Sequence, residues 1–136
     1  MIGVLIATHA SLGKELIAAS ELIFGKEERV SSVGLYHGDD IEALEGRIEE
    51  AILELDDGDG VLVFVDLLGG SPSNMTAKAM MTLFDRVNIE CVAGVNLPVF
   101  IESLVARETG DLSDLKKRVM DAASVSIVDL RKTYGM

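Results

Sequence analysis

Apolar residues recur along this chain in two periods that take turns. The run Ile2–Thr8 is apolar almost throughout and predicts a strand. From about Ser11 to Phe24 the spacing changes: Leu12, Leu16, Ala19 and Ile23 fall at helical intervals, and Gly25 ends the helix. Val30–Tyr36 alternates in part and predicts a second strand. Asp39 or Asp40 then caps a helix whose Ile41, Leu44, Ile48, Ala51, Ile52 and Leu55 form one apolar stripe. After the turn Asp57-Gly58-Asp59-Gly60, the run Val61–Val65 is apolar on both faces, as a central parallel strand should be. Ser71-Pro72 reads as an N-cap with proline at the first helical position, opening a helix to about Leu83. Asn88–Ala93 predicts a fourth strand, Val99–Arg107 a helix and Asp111–Ala123 a charged helix. Ser124–Leu130 predicts a final short strand.

Strands separated by helices imply a doubly wound α/β fold: a mainly parallel sheet covered by helices on both faces. A strand order of about 2-1-3-4 puts the topological switch point between the first and third strands, where ligands bind in such sheets. His9 and Asp66 follow those two strands. All 136 residues are expected to form a single domain, with no repeat or linker.

Composition narrows the picture. The formal net charge is −11, from 23 acidic and 12 basic side chains, and no basic cluster offsets it. Nucleic acid and anionic membrane surfaces are thereby disfavoured as partners. Aromatic residues are only 4% of the chain, so the core is expected to be aliphatic. Cys91 is the one cysteine and lies in an apolar run, which excludes a disulfide framework and suggests burial. The opening apolar run is too short to span a bilayer and has no basic segment before it, so a cytoplasmic location is expected.

The candidate chemistry centres on His9. A neutral imidazole needs a partner on one ring nitrogen to leave the other free as a nucleophile, and Asp66 is placed to supply it. In Gly69-Gly70-Ser71-Pro72, paired glycines let backbone N–H groups approach an anion, and the helix start adds its partial positive charge. Histidine, carboxylate and anion site together suit phosphoryl handling. His37 lies one strand away from the switch point and reads as structural. Nucleotide-binding glycine motifs are missing, and two histidines with one cysteine far apart make no metal site, so no metal or cofactor is expected. A hydrolase triad of His9, Asp66 and Ser71 is a weaker reading, because Gly-Ser-Pro is not a nucleophile elbow.

Three stretches carry a family resemblance: Ile6-Ala7-Thr8-His9, Val63–Asn74 with its Asp66 and Gly69-Gly70-Ser71-Pro72, and Ala93-Gly94-Val95-Asn96-Leu97-Pro98. Together they resemble the IIA component of the mannose-type branch of the bacterial sugar phosphotransferase system. The resemblance implies a phosphocarrier in which His9 takes a phosphoryl group from phospho-HPr onto Nε2 and passes it to a IIB component, serving membrane IIC and IID components indirectly. It implies that Asp66 bonds the other ring nitrogen and that Thr8, Gly70 and Ser71 hold the phosphoryl group. It also implies a homodimer in which the C-terminal strand, Ser124–Leu130, pairs with the partner's sheet. Leu67 and Leu68 depart from the threonine and aromatic that some members carry there, and no IIB domain follows, so a separate acceptor chain is expected. The phosphotransferase subunit of dihydroxyacetone kinase and a non-transferring regulatory phosphohistidine module are the alternatives. The transported sugar is not readable from these residues.

Overall fold

A computed structural model describes all residues, 1–136. In chain order the elements are β1 (Gly3–His9), α1 (Leu12–Phe24), β2 (Val30–Leu35), α2 (Ile41–Leu55) and β3 (Val61–Val65). They continue with α3 (Ser71–Thr82), β4 (Ile89–Ala93), α4 (Leu97–Ala106), α5 (Leu112–Ala123) and α6 (Leu130–Thr133). The sheet is parallel throughout, in the order β2-β1-β3-β4. Every residue of β3 is buried, as is every residue of β1 except His9. That matches the continuous apolar runs of two central strands covered on both faces.

Strand alternation divides the core. Leu5, Ala7, Val61, Val63 and Val65 face Leu44, Ile48 and Ile52 of α2, Met75 and Ala79 of α3, and Leu83 just past its end. Val4, Ile6, Leu62 and Phe64 face the other way, onto Phe100 and Leu104 of α4 and Leu115 and Val119 of α5. Phe64 and Phe100 meet edge-to-face with ring centroids 6.3 Å apart. At the amino ends of the strands the buried Arg107 side chain donates to the carbonyls of Ile2, Glu28 and Arg29 and pairs with Glu27. Burial lowers the pKa of its guanidinium, an effect that Glu27 opposes.

Three expectations from sequence need correction. First, Gly70 rather than Ser71 is the N-cap of α3, so Ser71 is the first helical residue and Pro72 the second. The positive φ of Gly69 (+84°) brings the chain round one residue earlier than Ser-Pro alone suggests. Second, α4 starts at Leu97, because the Asn96 side chain accepts from the Val99 N–H at 3.0 Å and caps the helix there. Third, Ser124–Leu130 forms no strand in the chain. Turns and bends occupy it up to the short helix α6, whose start Asp129 caps. The Ser126 hydroxyl donates to the Ala123 carbonyl and accepts from Asn96 Nδ2, each at 3.0 Å. These local bonds hold the segment out of the sheet. No helix is long and apolar enough to cross a membrane.

A histidine–aspartate pair at the switch point

The register between β1 and β3 aligns Ala7 with Val65, which carries His9 and Asp66 past the same end of the sheet. One oxygen, Asp66 Oδ2, accepts from the His9 backbone N–H at 3.0 Å and lies 2.9 Å from His9 Nδ1. A carboxylate only accepts, so the bonded Nδ1 carries a proton, and in the neutral ring Nε2 is then the nitrogen with the free lone pair. The His9 side chain is 47% exposed and that of Asp66 only 12%, so the ring meets solvent while its anchor is largely covered. Asp66 Oδ1 is buried without a hydrogen-bond partner. An unpaired buried carboxylate oxygen is costly, and a positive charge on the neighbouring ring would offset that cost.

Gly70 flanks the free side of the ring. A Cβ there would lie 2.8 Å from His9 Cε1 and 3.4 Å from Nε2, so a larger residue would crowd the nitrogen. The Gly70 N–H itself donates to the Leu67 carbonyl and Pro72 has none, so Ser71 and Ser73 carry the unpaired N–H groups of the first turn of α3, and the Ser71 hydroxyl takes no part in capping. Thr8 is placed differently from Gly70 and Ser71. It is buried, and its hydroxyl oxygen accepts from the Gly13 N–H at 2.9 Å, which ties down the start of α1.

Two features escaped sequence reasoning. His37 shares a cavity of about 290 Å³ with His9, Ala10, Leu35 and Tyr36, so it stands closer to the pair than strand counting suggested. Leu67, Leu68, Leu12, Tyr36 and Ile41 are all exposed on the loops and helix starts at this end of the sheet. Loop hydrophobes carry no periodicity, and only the departure at Leu67-Leu68 hinted at such a rim. Cys91, on the edge strand β4, is half-buried, and burial pushes its thiol up to about 11.

Chemically, the arrangement leaves His9 Nε2 without a protein partner beside a helix start, with a carboxylate placed where it could stabilise an imidazolium. Fold and site thus define a class, a doubly wound α/β domain with a histidine–aspartate pair at its switch point. The chain belongs to the EIIA-man family: the family model described as the PTS system fructose IIA component matches residues 3–120. It is 33% identical to the fructose-specific EIIA component of Bacillus subtilis (strain 168) over 115 residues, 85% of this chain and 77% of that protein. It is also 33% identical to the mannose-specific EIIAB component of Escherichia coli (strain K12) over 107 residues. That match takes in 79% of this chain but only 32% of the longer relative. The crystal structure of a phosphotransferase system component EIIA from Streptococcus agalactiae superposes with a TM-score of 0.89 at 25% identity, covering 97% of this chain and 99% of that one. The chain thus spans about a third of the mannose-specific relatives that it matches, and its similarity to them lies in their IIA portion.

Proposed function

We propose that His9 is the phosphoryl carrier of this component, accepting from phospho-HPr and donating to a IIB component. The observation that carries this reading is that both His9 N–H groups, backbone and Nδ1, converge on Asp66 Oδ2 while Nε2 stays open beside Gly70. In the accepting step the Nε2 lone pair attacks phosphorus, the N–P bond to the donor histidine breaks, and the donor ring leaves with that electron pair. The proton on Nδ1 stays there, held by Asp66, whose charge stabilises the cationic ring as the new N–P bond forms. The start of α3 and the Ser71 hydroxyl receive the phosphoryl oxygens. The same geometry run in reverse delivers the group to IIB.

The exposed apolar rim around His9 favours a protein rather than a small molecule as exchange partner, because unpaired leucines on loop tips suit desolvation against a second surface. Delivery to IIB serves sugar uptake through membrane IIC and IID components, with the carrier itself in the cytoplasm. We further propose that it works as a homodimer.

The test is labelling with phospho-HPr. His9→Ala abolishes it and His37→Ala leaves it intact, and label surviving in His9→Ala overturns the assignment. Addition of IIB then discharges the labelled protein. Label that stays on His9 identifies a regulatory module instead.

A further inference from the structure

Ala10, directly after His9, holds a left-handed backbone with φ of +50°, one of only two non-glycine residues in the chain to do so. Such a conformation is strained for a residue with a Cβ and persists only where its surroundings impose it. What imposes it here is visible on both sides. The His9 N–H donates toward β3, to Asp66 Oδ2, and the next N–H, that of Ala10, donates toward β2, to the Leu35 carbonyl at 2.7 Å. Successive peptide units are thereby tied to the two strands that flank β1. The Ala10 carbonyl then lies over Gly34. A Cβ on Gly34 would overlap that carbonyl oxygen and come within 2.9 Å of Tyr36 Cε2, so only glycine leaves room for the turn. Gly34 itself has no left-handed φ, and close approach alone explains it.

We propose that Ala10 and Gly34 are positioning residues for His9: the strained turn, seated over Gly34, aims the ring so that Nδ1 meets Asp66 and Nε2 faces the crevice. The proposal rests on His9 being the phosphoryl carrier, but its primary readout does not. Nitrogen-15 NMR of the histidine rings reports the tautomer directly, without any phosphoryl donor. Wild type shows a single His9 tautomer with the proton on Nδ1.

Gly34→Ala moves the Ala10 carbonyl, and Ala10→Val places a β-branched residue in the left-handed region. Both are expected to give a mixture of His9 tautomers and to slow labelling by phospho-HPr on the order of a hundredfold, as a misplacement near 1 Å does. Ala10→Gly accepts the same φ without strain and keeps the wild-type tautomer and rate. Gly25→Ala strains another left-handed position (φ +80°) that has open space around it, and it lowers the melting temperature without changing the His9 ring signals. A folded Gly34→Ala or Ala10→Val protein with the wild-type tautomer overturns the proposal, and so does a changed tautomer in Ala10→Gly, the variant that folds most readily. Altered tautomers in a protein that HPr never labels would uphold the positioning role and refute the carrier reading separately.

Discussion

At His9 a single carboxylate oxygen serves two donors, so changes at Asp66 reach both the ring and the backbone that carries it. Asp66→Ala frees the tautomer and removes the charge opposite the developing imidazolium. Transfer from phospho-HPr is expected to slow by about 10²–10⁴-fold in a protein that remains folded by circular dichroism. An unchanged rate would make the carboxylate structural only. Cys91 gives a second check at this scale. With its thiol pushed up to about 11, roughly one molecule in a thousand carries thiolate at pH 8. Alkylation of the native protein at that pH is expected to be slow and to accelerate on unfolding in urea; equal rates would contradict the burial. Much of this residue-level picture was legible beforehand. His9 and Asp66 stand out because the ends of apolar runs mark the crevice, and Cys91 because its neighbours are apolar. Thr8 was legible as a neighbour of His9 but not as the acceptor for the Gly13 N–H of α1, since nothing in Thr-His says which way the hydroxyl turns. Ala10 was invisible, because a left-handed alanine leaves no mark that a right-handed one lacks.

Among the elements, periodicity located the four strands and the helices of the sheet, and the misses cluster at ends, where one or two bonds decide. Ser71 shows what such a shift means. As an N-cap it would contribute about 1 kcal/mol to stability, but the cap is Gly70 and the Ser71 side chain makes no capping bond. Ser71→Ala is therefore expected to leave the melting temperature within about 1 °C of wild type, against the roughly 3–4 °C that loss of a 1 kcal/mol cap produces in a domain of this size. Its effect should fall on transfer kinetics, through the lost donor to the phosphoryl oxygens. A drop in stability with unaltered kinetics would restore the serine to a capping role. The segment 124–130, expected as a strand that pairs with a partner's sheet, forms no strand within the single chain. Val125, Ile127 and Val128 have strand propensity, but strands form in pairs, and propensity says nothing about whether a partner exists in the same chain.

For the whole molecule, that unpaired segment is the largest loose end. Val125, Ile127, Val128, Leu130 and Tyr134 are all exposed, Ile127 at 87%, and α6 beyond them buries nothing. At one edge of the sheet, β4 has one row of backbone groups unpaired. Beside its start, Met80, Met81, Phe84, Val87 and Ile89 line an open apolar cavity of about 500 Å³, with Phe84 85% exposed. An apolar segment without a strand to join and an apolar edge without a strand beside it are complementary. Exchange between two copies satisfies both and removes an edge that invites aggregation, at the small cost of the Asn96–Ser126 bond and the Ser126–Ala123 bond. The protein is accordingly expected to sediment as a dimer at micromolar concentration, with a melting temperature that rises with concentration because association stabilises the folded state. Removing residues 124–136 should yield a monomer whose β4 edge is open and which aggregates more readily on heating. Because His9, Asp66 and Gly70 all come from one chain, that monomer should still accept label from phospho-HPr. Full-length protein that sediments as a monomer would sink the exchange, whereas a truncated monomer that loses labelling would show that the site draws on the partner after all.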